Sequence, residues 1–360
     1  MAGTLGHKEG FSDDLEKALA GVFQTSTPKG MFSSRLETSL ANVKPIDVED
    51  ARRLRQRLEA IRESKPTGYI EECQDITSQL RGNVSCGLRV EVRQRIAELL
   101  DDGKIVVLVT PSGFGKTSVM KQFFRDVGGG TMLFLYSSKN IRSSLGYHTD
   151  EIREHPTVFL DEFSELPIDS VVNAAKALHQ RGKGVVLAVR PYGYHKTEWE
   201  RAFNSDPLFS ELHFSALSVG DEKRIVDGFG LDEESGGRLM TLAEGLPVEY
   251  NMLFRGNVLC STKDILRYLD DMDSMERDIQ PGNRYYGLDT SKYRESPYYS
   301  ELYKGTLSAV KALIEGEEIT PEQRKLALGS GLALEREARI YVPKAVKIIA
   351  NFYPGSLTET

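Results

Sequence analysis

Cysteine is scarce in this chain. Cys73, Cys86 and Cys260 are scattered, odd in number and without a C-x-x-C pair. That excludes a disulfide framework and a cysteine-built zinc site as organising devices, and it fits a reducing compartment. Histidine is sparse as well: His7, His148, His155, His179, His195 and His213 show no ligand spacing, so no zinc centre is expected. No apolar run approaches the roughly 18 residues that cross a bilayer, and the opening Met-Ala-Gly-Thr-Leu-Gly-His-Lys holds no apolar signal core. An intracellular protein, cytoplasmic or nuclear and without a membrane partner, is the expectation. Basic residues are not in excess either. With 46 Lys and Arg against 53 Asp and Glu the net charge is -7, which argues against a surface built to coat a polyanion while leaving room for a local basic patch. Ser112 and Ser118 have no His–Asp constellation around them, so esterase-type hydrolysis is not supported.

What is present is an ordinary soluble composition, 40% hydrophobic and 28% charged over 360 residues, enough for about two or three domains. Residues 1–45 are rich in Gly, Ser, Thr and Lys and read as a mobile arm with at most one short helix near Asp13 to Phe23. Residues 46–88 form a helical extension. Its helix from Val48 to Ser64 carries Arg52, Arg53, Arg55 and Arg57, and a solvated face explains them better than a nucleic-acid contact.

From Arg89 the pattern alternates. An amphipathic helix to Leu100 is followed by the β-branched run Ile105 to Val109, then a loop and helix from Gly115 to Val127. Strands follow at Thr131 to Tyr136 and Thr157 to Leu160, a helix at Ser170 to Arg181, a strand at Gly184 to Val189, a helix at His195 to Phe203 and a last strand at Leu212 to Leu217. Such alternation predicts an α/β core over 89–219, a parallel sheet with helices on both faces. Residues 220–280 turn helical. Residues 281–303 read as a tyrosine-rich linker packed on a neighbouring surface, and 304–360 as helix, helix, hairpin and helix, a small winged-helix-like module.

The chemistry concentrates where the first strand ends. Thr110-Pro111-Ser112-Gly113-Phe114-Gly115-Lys116-Thr117-Ser118 places Gly-Lys-Thr between a strand and a helix, the context that a phosphate loop requires. Gly113 and Gly115 allow a tight backbone whose N–H groups, with the positive end of the following helix, face phosphate oxygens. Lys116 is expected at the β- and γ-phosphates of ATP, and Thr117 at a magnesium ion. The usual G-x-x-x-x-G-K-[ST] pattern has glycine where this chain has Thr110, so the motif is one glycine short.

A second half of such a site is expected at the end of the strand from Thr157 to Leu160. Asp161 would hold magnesium through its water shell, and Glu162, pointing elsewhere, would polarise the attacking water. On their own, two acids after a strand are a common turn onset; following a phosphate loop they complete a set. Glu165 is better explained as a solvated acid. Arg190, at the end of Val185 to Val189, can reach the γ-phosphate or pair with a local acid, and both readings stand.

These residues together resemble the P-loop ATPases of the AAA+ and STAND group. Asp161-Glu162 matches its Walker B pattern. Arg190 looks like the arginine ending its sensor strand, and Gly245-Leu246-Pro247 like the Gly-Leu-Pro of the STAND helical lid. The resemblance spans roughly 89–352 and implies an ATP- and magnesium-dependent switch or motor. In that group nucleotide sits between the core and the lid, with Pro247 near the adenine. It also implies a protein partner or self-association. The group includes the NTPase modules of Crinkler-type effectors and retrotransposon hot spot proteins. The Gly-Arg pair with acid that ordinarily precedes the first strand is missing, although Arg81-Gly82 and Arg89 lie nearby. A slowly hydrolysing nucleotide-binding scaffold and a DNA-acting ATPase using the winged-helix-like module remain as alternatives. The acidic total weighs against the latter.

Overall fold

The computed structural model describes residues 19, 22, 28–111, 113–135, 141–161, 166–189, 197–214, 216–250, 253, 262–274, 297–336 and 338–352. They fold as two compact units. The first takes the described residues up to Val43, then Val90–Thr110 and Lys116–Phe214. The second takes Lys44–Arg89, Pro111–Gly115 and the described residues from 216 onward.

The first unit is built on five strands: β1 (Ile105–Val109), β2 (Thr131–Phe134), β3 (Thr157–Asp161), β4 (Gly184–Val189) and β5 (Phe209–His213). They form one parallel sheet in the order β2-β3-β4-β1-β5. Runs such as Ile-Val-Val-Leu-Val show no polar alternation because the interior strands are buried on both faces. Ile105, Val107, Val109, Val158, Leu160, Val185 and Leu187 enter one apolar cluster, with Ile141, Leu145, Ile152, Val171, Leu178, Trp199 and Phe203 from the covering helices. Val106, Leu108, Phe159, Val186 and Ala188 enter the other, against the helices Met31–Ala41, Val90–Asp101 and Lys116–Val127. Each fully buried branched side chain stabilises the unit by roughly 1.5–3 kcal/mol relative to exposure. The α/β class expected from the alternation is the class observed.

Three expectations need correction. Met31–Ala41, placed within a mobile arm, is a helix with Phe32 and Leu36 buried. Its own N-cap, Gly30, offers no side chain, and Asp101 of another helix accepts the N–H groups of Phe32 at 3.0 Å and Ser33 at 2.8 Å. The last strand is Phe209–His213 rather than Leu212 to Leu217, because pairing with β1 begins at Ile105 and Phe209. Leu217 instead donates its N–H to Gly245 O in the second unit. The second strand is shorter than expected, ending at Phe134. The short helix near Asp13 to Phe23 falls outside the described residues except for Leu19 and Val22, both buried.

The second unit is helical. Val48–Ser64, Tyr69–Ser85, Val219–Gly228, Glu233–Ala243, Thr262–Ser274, Pro297–Glu315, Pro321–Ser330 and Lys344–Phe352 are its helices. Leu334–Arg336 (β6) and Arg339–Tyr341 (β7) form an antiparallel hairpin. The helix–helix–hairpin–helix order at the C-terminal end is the expected one, but its first helix starts at Pro297, inside the stretch 281–303 read as a linker, of which 281–296 lie outside the described residues. Val48–Ser64 is not a wholly solvated face: Arg55 is buried and donates to Thr262 Oγ1 at 3.0 Å and Phe229 O at 3.3 Å, while Arg52 and Arg57 make exposed pairs with Glu49 and Glu72.

The helix Lys116–Val127 is fixed at its far end by a buried ion pair. Asp126 takes Arg93 of Val90–Asp101 on one oxygen, and on the other accepts Ser39 Oγ at 2.7 Å and Gln122 Nε2 at 3.2 Å. Three helices meet on one carboxylate. Removing one partner of a fully buried pair costs about 3–5 kcal/mol because the remaining charge loses its compensation. Asp126→Ala is therefore expected to lower unfolding free energy by about that amount in urea denaturation. A loss smaller than about 1 kcal/mol would contradict the role given to this pair.

Candidate functional site: the phosphate loop and its surroundings

The loop begins where β1 leaves the sheet interior. Thr110 is fully buried. Its N–H donates to Val189 O of β4 at 3.3 Å, and its Oγ1 donates to Phe214 O, just past β5, at 2.6 Å. The residue standing in place of a glycine thus fastens the end of β1 to the strands on both sides, which a residue without a hydroxyl cannot do. Thr110→Val is expected to leave the Phe214 carbonyl without this donor and to cost about 1–3 kcal/mol, with Thr110→Ser close to wild type, as measured by chemical denaturation. Equal stability of the valine and serine variants would contradict this.

Beyond Thr110 the backbone turns through Gly113 and Gly115, whose φ angles of 84° and 89° lie in the left-handed region that side chains disfavour. Pro111 and Phe114 are buried, Gly113 is exposed, and Ser112 lies outside the described residues. The helix Lys116–Val127 starts at once, and the positive end of its dipole has no acidic residue in the first turn to offset it. Lys116 is 9% exposed, and its Nζ reaches back to Thr110 O at 3.4 Å, across the mouth of the loop. Thr117 is half-buried and Ser118 exposed.

Asp161 closes β3 and is buried. One strand, β4, lies between β3 and β1, so the two strand ends stand about 10 Å apart at normal strand spacing. Thr110 and Asp161 therefore end strands at the same, C-terminal, side of the sheet, where ligands of open parallel sheets sit. Glu162, Glu165 and Arg190 lie outside the described residues. The groups gathered here are a backbone cradle, an ammonium, a hydroxyl and a carboxylate, which suit a triphosphate with a divalent cation in charge and hardness.

Gly245-Leu246-Pro247 belongs to the second unit, and Pro247 opens a one-turn 3-10 helix, Pro247–Tyr250. The buried Glu222 carboxylate organises this turn. One oxygen accepts the N–H of Gly245 at 2.6 Å and the hydroxyl of Tyr250 at 2.8 Å; the other accepts Arg336 Nη2 from the hairpin at 2.9 Å. Arg336 Nη2 also donates to Leu217 O at 2.6 Å. Burial, and then the neighbouring carboxylate, hold the Tyr250 hydroxyl well above the ordinary phenol range, so it stays a donor. Arg89, one of the residues near the missing Gly-Arg pair, is buried with a left-handed φ of 53°. Its N–H donates to Asp221 Oδ1 at 3.0 Å and its guanidinium to Ala216 O. Burial draws its pKa down to about 10, with Asp221 opposing, so it remains charged at neutral pH.

A cavity of about 470 Å³ lies at the opposite end of the sheet, lined among others by Lys29, Asp101, Lys104, His179 and Lys183. It is a poor phosphate site. The ammonium of Lys104 is turned to Pro207 O and that of Lys183 to the carbonyls of Arg153 and His155, while burial lowers the pKa of His179. Among the described residues no helix is long and apolar enough to cross a membrane.

No protein-family model matches the chain, and no curated protein does. Among solved structures it is similar to the RuvB Holliday junction branch migration motor of Thermotoga maritima. That match has 16% identity and a TM-score of 0.40, over 72% of this chain and 94% of that one. It is also similar to the Aeropyrum pernix Orc1 protein in complex with DNA, at 13% identity and a TM-score of 0.36, over 74% of this chain and 93% of that one. Values this low assign no activity.

Proposed function

We propose that this chain is an ATP-binding, magnesium-dependent ATPase of the AAA+ and STAND kind, acting as a nucleotide-operated switch or motor. In this reading 89–219 is its ATPase core, 220–280 its helical lid and 304–360 its winged-helix-like module. The observation that carries the proposal is the loop between β1 and the helix Lys116–Val127. Two left-handed glycines, a helix N-terminus with no acidic residue in its first turn, and Lys116 meet there, with the buried Asp161 ending a strand on the same side of the sheet.

The backbone N–H groups of the loop and the Lys116 ammonium bind the β- and γ-phosphates; Thr117 and Asp161 would hold magnesium, which would supply charge neutralisation. Glu162 takes the proton of a water whose oxygen bonds to the γ-phosphorus as the bond to the bridging oxygen breaks, releasing ADP and phosphate. Arg190 balances the charge spread over the transferring group. ATP is the expected partner first, and a protein partner or a second copy the next.

Lys116→Ala is expected to abolish ATP binding in equilibrium titration. Glu162→Gln is expected to keep binding and to lose phosphate release by about a hundredfold or more. Wild-type turnover in Lys116→Ala would sink the site. Tight ATP binding with no phosphate release, unchanged in Glu162→Gln, would instead assign the chain a scaffold role.

A further inference from the structure

The five residues Pro111–Gly115 pack with the second unit, although the strand before them and the helix after them belong to the first. Phe114, at the apex of a loop read as phosphate-binding, is only 4% exposed. It belongs to the apolar cluster that also holds Leu217, Leu246, Leu332, Ala333 and Leu334. Its seat is Gly331. A Cβ at Gly331 would lie 2.8 Å from Phe114 Cε2, 2.9 Å from its Cζ and 3.0 Å from Pro111 Cβ. Gly331 also ends the helix Pro321–Ser330 at a φ of 77° and leads directly toward β6, whose Arg336 is bonded to Glu222 and Leu217. Glycine is therefore required at this place twice over, by its backbone angle and by the ring lying against it.

We propose that Phe114 is a positioning residue through which the C-terminal helix–hairpin module sets the nucleotide affinity of the phosphate loop. The inference rests on the nucleotide reading above. The physical basis is preorganisation. Seating the Phe114 ring on Gly331 fixes the stretch that contains Gly113 and Gly115, the most freely rotating residues of the loop, so that binding loses less backbone entropy. The two glycines would otherwise leave the cradle with many conformations, and the apolar anchor between them selects one. Linkage then makes the effect reciprocal: a nucleotide in the loop must stabilise the seated state of the module by the same factor. The Arg336–Glu222–Gly245 bonds extend the path from the hairpin to the turn that holds Pro247.

The test uses the full chain and ATP itself. Gly331→Ala and Phe114→Ala are each expected to weaken ATP binding about tenfold, within the usual range of such couplings, while Phe114→Leu restores most of the affinity. The double variant should bind no more weakly than the weaker single one, because both changes break the same contact. In the wild type, ATP should slow backbone hydrogen exchange over 331–341, and in Phe114→Ala it should not. If Phe114→Ala does not fold, Gly331→Ala and Phe114→Leu decide. Wild-type affinity in folded Gly331→Ala, additive losses in the double variant, or ATP protection of 331–341 that persists without the ring would each overturn the proposal. A wild type that binds ATP no better than Lys116→Ala overturns the nucleotide reading itself, and the two failures are told apart by that comparison.

Discussion

The structure depends on β1 being buried on both faces and paired on both edges. Its five residues have no surface to offer, so everything the chain does next must happen beyond its last residue. At that point the backbone leaves two ladders at once and needs partners inside a dry interior. Thr110 supplies them, with its N–H to β4 and its hydroxyl to the carbonyl after β5. The position from which the loop departs is thus fixed by the sheet, and so is the start of the helix that brings Lys116 back. The buried Arg93–Asp126 pair holds the other end of that helix. Lys116 is placed by constraints at both ends of its helix.

Much of this architecture is written locally. β-branched runs bounded by turn residues mark β1, β3 and β4, because double-sided burial leaves a compositional trace that needs no knowledge of the partner strands. The helix–hairpin–helix order after Pro321 is legible for the same reason. What is not legible is whatever a distant residue supplies. Met31–Ala41 has no capping side chain of its own, and the carboxylate that caps it comes from Asp101. Tyr69–Ser85 is legible only as part of a helical extension, and its buried face of Cys73, Ile76, Leu80 and Val84 goes unread beside the charged helix before it. Phe209–His213 has only Phe209 fully buried among its residues, so the apolar pattern shifts attention three residues too far along the chain.

The candidate site divides in the same way. Lys116, Thr117 and Asp161 are recognisable by type and by their place after a strand, and Gly113 and Gly115 by the turn they permit. Glu162 and Arg190 rest on sequence position alone. The meaning of Thr110 is tertiary: a departure from a glycine pattern becomes intelligible only when Phe214 O is seen 2.6 Å from its hydroxyl. Phe114 is legible as a member of the loop motif but not as a packing residue. An aromatic residue between two loop glycines has nothing in its neighbourhood to say that Gly331 faces it. Glu222, which nothing in the sequence singles out, is the carboxylate on which the Gly245 turn, Tyr250 and Arg336 converge.

The ownership of Pro111–Gly115 by the second unit has a consequence for how the chain can be divided. By covalent order this loop belongs to the α/β sheet, and a fragment ending near Phe214 would keep all five strands and the lysine helix. Such a fragment would also strip the cover from Phe114 and Pro111, presenting an aromatic ring and a proline to water at the rim of the loop. The α/β half is therefore not portable: transplanted or expressed by itself, it carries a loop whose apolar residues have lost their cover. Recombination or engineering that respects the strand pattern alone would part Pro111–Gly115 from the residues it packs with.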